Sequence, residues 1–329
     1  MELQSPPLLD LLDVHADQLE ELRGRLPAAR RRSVDDLLLL RYIMSYGSSS
    51  STTADAVVKA LEWREAHRDL VAAAKASASS PELDSVALEG HVTADEREVI
   101  DGCLKASYGC TTQRPPGFPL YVIQSGQSRL RELMSQVSVE AVALWLTWRS
   151  EVGFWLCDTA TRQSGHFIKQ VVVLNLGGCR LADQDPRFFV AYGKSSKRSE
   201  YLHPQLLARQ VVLHPPAFMS YFWALGRRLL SERLLQKVDV RRGTAEERLA
   251  QYFEGKPPAG VVDSLCSVRS GRSKGRPAQA DASTIECPVA ETSDEVCTAA
   301  AAWVESVPCA ELLEAPMPAG LLRETETEN

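Results

Sequence analysis

The sequence predicts an α/β protein with a helical lobe in front and a disordered acidic tail behind. Three observations predict it. Leucines recur at helical spacing near the N-terminus, short apolar strands alternate with helices in the middle, and the composition changes abruptly at Ser264. The 329 residues suffice for one large domain or two smaller ones, and 44% hydrophobic with 24% charged residues is the composition of a globular chain. That excludes wholesale disorder and a polytopic membrane protein.

Leu8, Leu11, Leu12, Leu19, Leu22 and Leu26 predict a helix over 8–26, closed by Pro27. A second helix runs from a cap at Ser33 to Tyr46 and stops at Gly47. A third begins near Thr53 and carries Val57, Leu61 and Trp63. These form a helical lobe over 8–76, with a connecting segment over 77–116 whose pattern is weakly helical. Phe118–Gln124 reads as a strand, Val139–Leu156 as an aromatic-rich helix and Phe167–Leu176 as a strand apolar on both faces. Pro186–Tyr201 follows as a helix, Val211–Leu213 as a strand, Ala217–Leu230 as a helix and Val238–Val240 as a strand, a βαβ-like succession. Thr244–Phe253 is a last helix, and 117–262 is the α/β lobe. Residues 263–329 read as the tail.

Charge is unevenly spread. The tail from Ser264 holds 5 basic and 11 acidic residues, which accounts for the whole net charge of −6. Arg187–Arg242 holds 11 basic residues against 3 acidic, a candidate surface for anions. Its aromatics are interleaved with aliphatics, so nucleic acid is not the expected partner. The eight cysteines form no C-x-x-C pair, the N-terminus lacks a signal-peptide pattern, and free thiols in a reducing compartment are expected. A P-loop, a G-x-G-x-x-G, an H-E-x-x-H and a G-x-S-x-G are all missing, and the six histidines lie far apart. The expectation is a protein without catalysis, metal or cofactor.

Ala217–Leu230 sets Phe218, Met219, Phe222, Trp223 and Leu225 around most of its circumference, followed by Arg227 and Arg228. Complete burial in a core explains such a helix, and so does a lid that covers an apolar pocket and opens onto a bilayer.

Several stretches together resemble the CRAL-TRIO family of lipid-exchange proteins. Leu39-Leu40-Arg41-Tyr42 with Leu61-Glu62-Trp63-Arg64 resembles its helical N-terminal lobe. Gly117-Phe118-Pro119-Leu120-Tyr121 is similar to its G-R-P-V-Y strand, and Leu174-Asn175-Leu176-Gly177-Gly178 to its V-D-L-K-G strand end. His203-Pro204-Gln205 resembles Y-P-E, and Val211-Val212-Leu213-His214-Pro215-Pro216 resembles I-I-I-N-A-P; Trp223, Leu225, Arg227, Leu230 and Lys237-Val238 follow the run after it. The resemblance spans about residues 8–262. It implies a helical lobe packed on an α/β lobe whose mixed sheet floors a pocket for one lipid, with Ala217–Leu230 as a mobile gate. By this resemblance Tyr121, Val171, Val173, Val211 and Leu213 line the pocket, while Gln205, His214, Arg227 and Arg228 stand at its mouth. The implied partners are a phospholipid or other hydrophobic ligand and a transient membrane surface, in a cytoplasmic, peripherally membrane-associated protein. Gln205 replaces the Glu of Y-P-E, and Met44 and Tyr46 stand where two arginines are usual, so the resemblance leaves the lipid unnamed. An alternative reading is a non-exchanging adaptor whose tail binds a protein partner.

Overall fold

Among the described residues, mostly helical segments accompany a five-stranded sheet with strand order β1-β2-β3-β4-β5. The computed structural model describes residues 5–79, 92–104, 106–111, 117–216, 232–240, 247 and 249. In chain order the elements are α1 (Leu8–Val14), α2 (Ala16–Arg25), α3 (Ala28–Arg31), α4 (Asp36–Tyr46), α5 (Ser51–Ala66), α6 (Arg68–Ala78), α7 (Ala94–Cys103), β1 (Ala106–Thr111), β2 (Phe118–Gln124), α8 (Leu130–Gln136), α9 (Val139–Ser164), β3 (Gln170–Asn175), α10 (Pro186–Leu202), β4 (Leu207–Leu213), α11 (Glu232–Leu235) and β5 (Val238–Val240). β1 is antiparallel to β2, and β2 to β5 are mutually parallel. The sheet is therefore mixed. The expected gate Ala217–Leu230 and the tail 263–329 lie outside the described residues.

The first predicted helix is two, broken at His15, whose ring Nδ1 bonds Gln18 Oε1 at 2.7 Å. The cap expected at Ser33 is moved. Ser33 Oγ donates to the Arg30 carbonyl, and Asp35 Oδ1 accepts from Leu38 N at 2.9 Å to cap α4. Asp35 also pairs with Arg162 of α9. Asp35→Ala therefore loses a cap and a cross-lobe ion pair; a destabilisation of about 1–2 kcal/mol is expected from denaturant melts. Gly47 closes α4 with φ 76, a left-handed conformation that glycine adopts without strain.

α9 runs to Ser164, well past the predicted Leu156, and ends where Gly165 takes φ 68. β3 begins only at Gln170, because Phe167 N instead donates to the Pro6 carbonyl and Leu8 N to the Gly165 carbonyl. That strap holds the N-terminus against the α9–β3 connection. The segment read as weakly helical holds α7, with a full capping box between Thr93 and Glu96, and β1, an edge strand of the sheet. β1 lies within the segment read as a connection and pairs with β2.

Leucines from α2 and α4, with Val57 and Ala60 of α5, form one core that also takes in Phe167 and Leu202. A second core lies around α9, where Trp145, Trp148 and Val152 meet Leu70, Ala74, Ile100 and Leu133. The helical lobe is bolted to the rest by polar groups as well. Tyr42 Oη donates to the Tyr201 carbonyl at 2.6 Å. The buried Arg41 guanidinium donates to Thr161 Oγ1 at 3.2 Å and lies over the Phe154 and Phe167 rings.

Candidate functional site: the two faces of the sheet

Side chains alternate across a strand, so the register assigns each residue to a face. Leu120, Val122, Val171, Val173, Val211 and Leu213 share one face and pack into a cluster closed by Leu249. This cluster is buried: Val173 and Val211 are 0% exposed and Val171 and Leu213 1%. Tyr121, Ile123, Val172, Leu174, Gln210, Val212, Val238 and Val240 share the other face.

The second face is covered by helices, yet it is the less completely buried one. α9 lies over it, with the Arg149 guanidinium 5.1 Å from the Tyr121 ring centre and also over the Trp145 and Trp148 rings. α10 packs along α9 and brings Tyr192 into electrostatic reach of Tyr121. Even so, Ile123 and Leu174 on interior strands, and Gln210 between β3 and β5, stay half-buried. Tyr192 shows the same combination. Its phenol is desolvated enough that its pKa is raised, but the residue keeps accessible surface.

The five residues expected to line a pocket therefore split. Val171, Val173, Val211 and Leu213 are buried on the face that carries Leu249. Tyr121 alone of the five is on the helix-covered face. The apolar run Val171–Leu174 carried no sign of which alternate residues would meet a solid core, since both faces are apolar.

The expected mouth also divides. Gln205 sits before β4, where its Nε2 donates to the Met44 carbonyl at 2.8 Å and its φ is 56. His214 follows β4 at the other end. β4 has seven residues, so roughly 23 Å separates its ends at ~3.3 Å per residue. The two side chains stand at opposite ends of β4. Arg227, Arg228 and the gate residues Phe218, Met219, Phe222, Trp223 and Leu225 lie outside the described residues.

His214 belongs to a hydrogen-bonded hub at the carboxyl ends of the strands. Asn175 Oδ1 accepts from His214 Nδ1 at 3.0 Å and from Gly177 N at 3.0 Å, while Asn175 Nδ2 donates to Gln124 Oε1 at 2.8 Å. One side chain thus fixes the loops after β2, β3 and β4. The loops touch so closely that a Cβ on Gly126 would collide with the Gly177 carbonyl oxygen. Gly126→Ala should shift this backbone, destabilising by about 1–3 kcal/mol in thermal melts.

The part of the basic segment that is described is largely paired. Lys194 and Arg198 both reach Glu140 of α9, and Arg187 pairs with Asp185. Its positive charge serves partly to hold α10 on α9.

At the opposite end from the hub, Glu151 of α9 is fully buried between Arg64 of α5 and His203. Arg64 Nε donates to Glu151 Oε1 at 2.8 Å, Arg64 Nη2 donates to the Leu202 carbonyl at 2.7 Å, and His203 Nε2–H donates to Glu151 Oε2 at 2.6 Å. Burial raises the Glu151 pKa, but Arg64 and His203 outweigh it and bring it down to about 2. His203 is itself lowered, first by burial. Neutral imidazole between a carboxylate and an aromatic ring (Phe154, 5.7 Å between centres) satisfies both shifts. This triad has no signature in the sequence, because Glu151 sits among aromatics with no partner nearby in the chain.

Among the described residues no cluster of metal-ligating side chains is found, and no helix is long and apolar enough to cross a membrane. No family model matches the chain. Among solved structures it is similar to one described as the crystal structure of Sfh5, at 16% identity and a TM-score of 0.44, over 66% of this chain and 67% of that one.

Proposed function

We propose that this chain is a lipid-binding and lipid-transfer protein of the CRAL-TRIO type, holding one lipid in a hollow between the sheet and α9–α10. The observation that carries the reading is a difference between the faces: a buried cluster backed by Leu249 on one, and Ile123, Leu174 and Tyr192 only half-buried on the side of α9 and α10. A helix-covered apolar surface left partly open is what an apolar ligand needs. The mixed sheet and the motifs Leu39–Tyr42, Gly117–Tyr121 and His203–Pro216 also fit the resemblance.

The physical task is to shield acyl chains. Exposing a lipid chain to water costs ~0.8 kcal/mol per CH₂, which a closed apolar hollow removes. The apolar helix Ala217–Leu230 is the gate in this reading, opened at a membrane surface toward which Arg227 and Arg228 contribute ~1 kcal/mol each on an anionic bilayer. No bond is made or broken, so catalysis plays no part in it.

The test is transfer of labelled phospholipids, retinoids and sterols between donor and acceptor liposomes. Transfer of at least one class, lost when Phe222 and Trp223 are both replaced by Asp, is expected. An absence of binding and transfer for every class rejects the reading.

A further inference from the structure

Ser33 lies in an exposed turn between α3 and α4, directly after three arginines, Arg30-Arg31-Arg32. Its hydroxyl takes no part in starting α4, because Asp35 supplies the cap. Ser33 Oγ donates instead to the Arg30 carbonyl at 2.8 Å, a surface bond that water replaces at little cost. α3 is a single turn, Ala28–Arg31, with no buried residue. Arg30 pairs with Glu65 where the two side chains keep 30% and 58% exposure, and Arg31 donates to the Gly24 and Leu26 carbonyls. Exposed ion pairs contribute little, so this segment opens locally at low cost, with buried Val34 as its inner anchor. The turn is also wired to the rest of the molecule. Arg23 Nη1 donates to the Arg31 and Val34 carbonyls, on either side of Ser33, at 3.1 and 3.0 Å, while its Nη2 holds Asp36 at 2.6 Å. Two residues past Ser33, Asp35 pairs with Arg162 of α9.

We propose that Ser33 is a phosphorylation site for a serine kinase with an acidic substrate groove, and that phosphate there loosens the Asp35–Arg162 contact between the helical lobe and α9. Arg30 and Arg31 stand three and two residues ahead of the acceptor, where their guanidinium forks suit kinase carboxylates bidentately. Val34 follows as an apolar residue on the other side. Ser33 Oγ attacks the γ-phosphorus of ATP. A new O–P bond forms, the bond from the γ-phosphorus to the β–γ bridging oxygen breaks, and ADP leaves with that electron pair. The hydroxyl proton passes to the kinase's catalytic carboxylate. The product brings a charge of about −1.5 to −2 beside Asp35 and Asp36. It competes with Asp36 for Arg23 and repels Asp35, the acidic-neighbour case in which phosphate disrupts a contact. The site is independent of what the sheet holds and stands or falls apart from the lipid-binding reading.

The experiment incubates the full chain with ATP and the catalytic subunit of cyclic-AMP-dependent kinase, with an acid-directed kinase in parallel, and locates the phosphate by mass spectrometry of peptides. Mapping is needed because Arg241-Arg242-Gly243-Thr244, outside the described residues, has the same spacing. Phosphate on Ser33 is expected from the first kinase and not from the second. Arg30→Ala, whose guanidinium makes a surface ion pair, should lower the rate at Ser33 about tenfold or more, with a thermal melt showing that the variant folds. On phosphorylation, hydrogen exchange should rise by about twofold or more at the start of α4 and over the last turn of α9. An unmodified Ser33, or a rate indifferent to Arg30→Ala, overturns the site. A phosphorylated Ser33 with unchanged exchange in both segments overturns its action on the contact between the lobes.

Discussion

Glu151→Ala is expected to destabilise the protein by about 3–5 kcal/mol, because it leaves Arg64 as a buried charge without its carboxylate. At a few degrees per kcal/mol that is a loss of roughly 10 °C in Tm. The ion pair spans α5 and α9, so the two lobes should loosen together, and hydrogen exchange should rise in both. Replacing the pair jointly, Arg64→Met with Glu151→Leu, should recover much of the loss, since well-packed apolar groups can substitute for a buried pair. A double variant no better than Glu151→Ala would mean that the pair is not what joins the lobes there.

The same cluster sets an acid limit. Glu151 titrates at about 2 in the folded state and near 4.5 otherwise. Its contribution is intact above pH 4.5 and is lost as pH falls toward 2. His203 is also lowered, from an ordinary value near 6.5, so its neutral form is favoured in the folded state; the stability it contributes is intact above that pH, relative to the protonated form, and declines below it. Stability should therefore begin to fall below about pH 6.5 and fall further below 4.5. His203→Gln keeps a donor for Glu151 and should remove the first decline while leaving the second.

The second large effect contrasts the two faces of the sheet. Leu213→Ala, in the buried cluster, should cost about 2–5 kcal/mol, as large-to-small changes in rigid cores do. Leu174→Trp, on the other face, should cost less than about 1 kcal/mol, since overpacking penalties of about 1–3 kcal/mol arise only where no space exists. It should nevertheless abolish uptake of a fluorescent lipid. Strong destabilisation by Leu174→Trp would show that this face is packed as tightly as its opposite.

Much of the architecture can be read from local chemistry. The strands at Phe118–Gln124 and Val238–Val240 and the stops at Gly47 and the Gly177 turn follow from β-branched runs and glycine positions. Strand faces do not. Val171-Val172-Val173-Leu174 is apolar throughout, and only the register shows that Val171 and Val173 join the cluster with Leu249 while Val172 and Leu174 lie on the opposite face. The capping box Thr93–Glu96 was a readable signal for α7 that the weak periodicity around it obscured. Trp63-Arg64 stood out as part of a motif, but its role depends on Glu151, 87 residues away. Gln205 and His214 are near neighbours in sequence, and only an extended β4 puts them at opposite ends of the sheet.

The most direct measurement is native mass spectrometry of the purified full chain, with extraction of whatever it carries. One lipid per protein is predicted, present in the parent chain and absent from the Leu174→Trp variant. A chain that flies without ligand, and stays so after incubation with mixed liposomes, contradicts a lipid-holding hollow between the sheet and its helices.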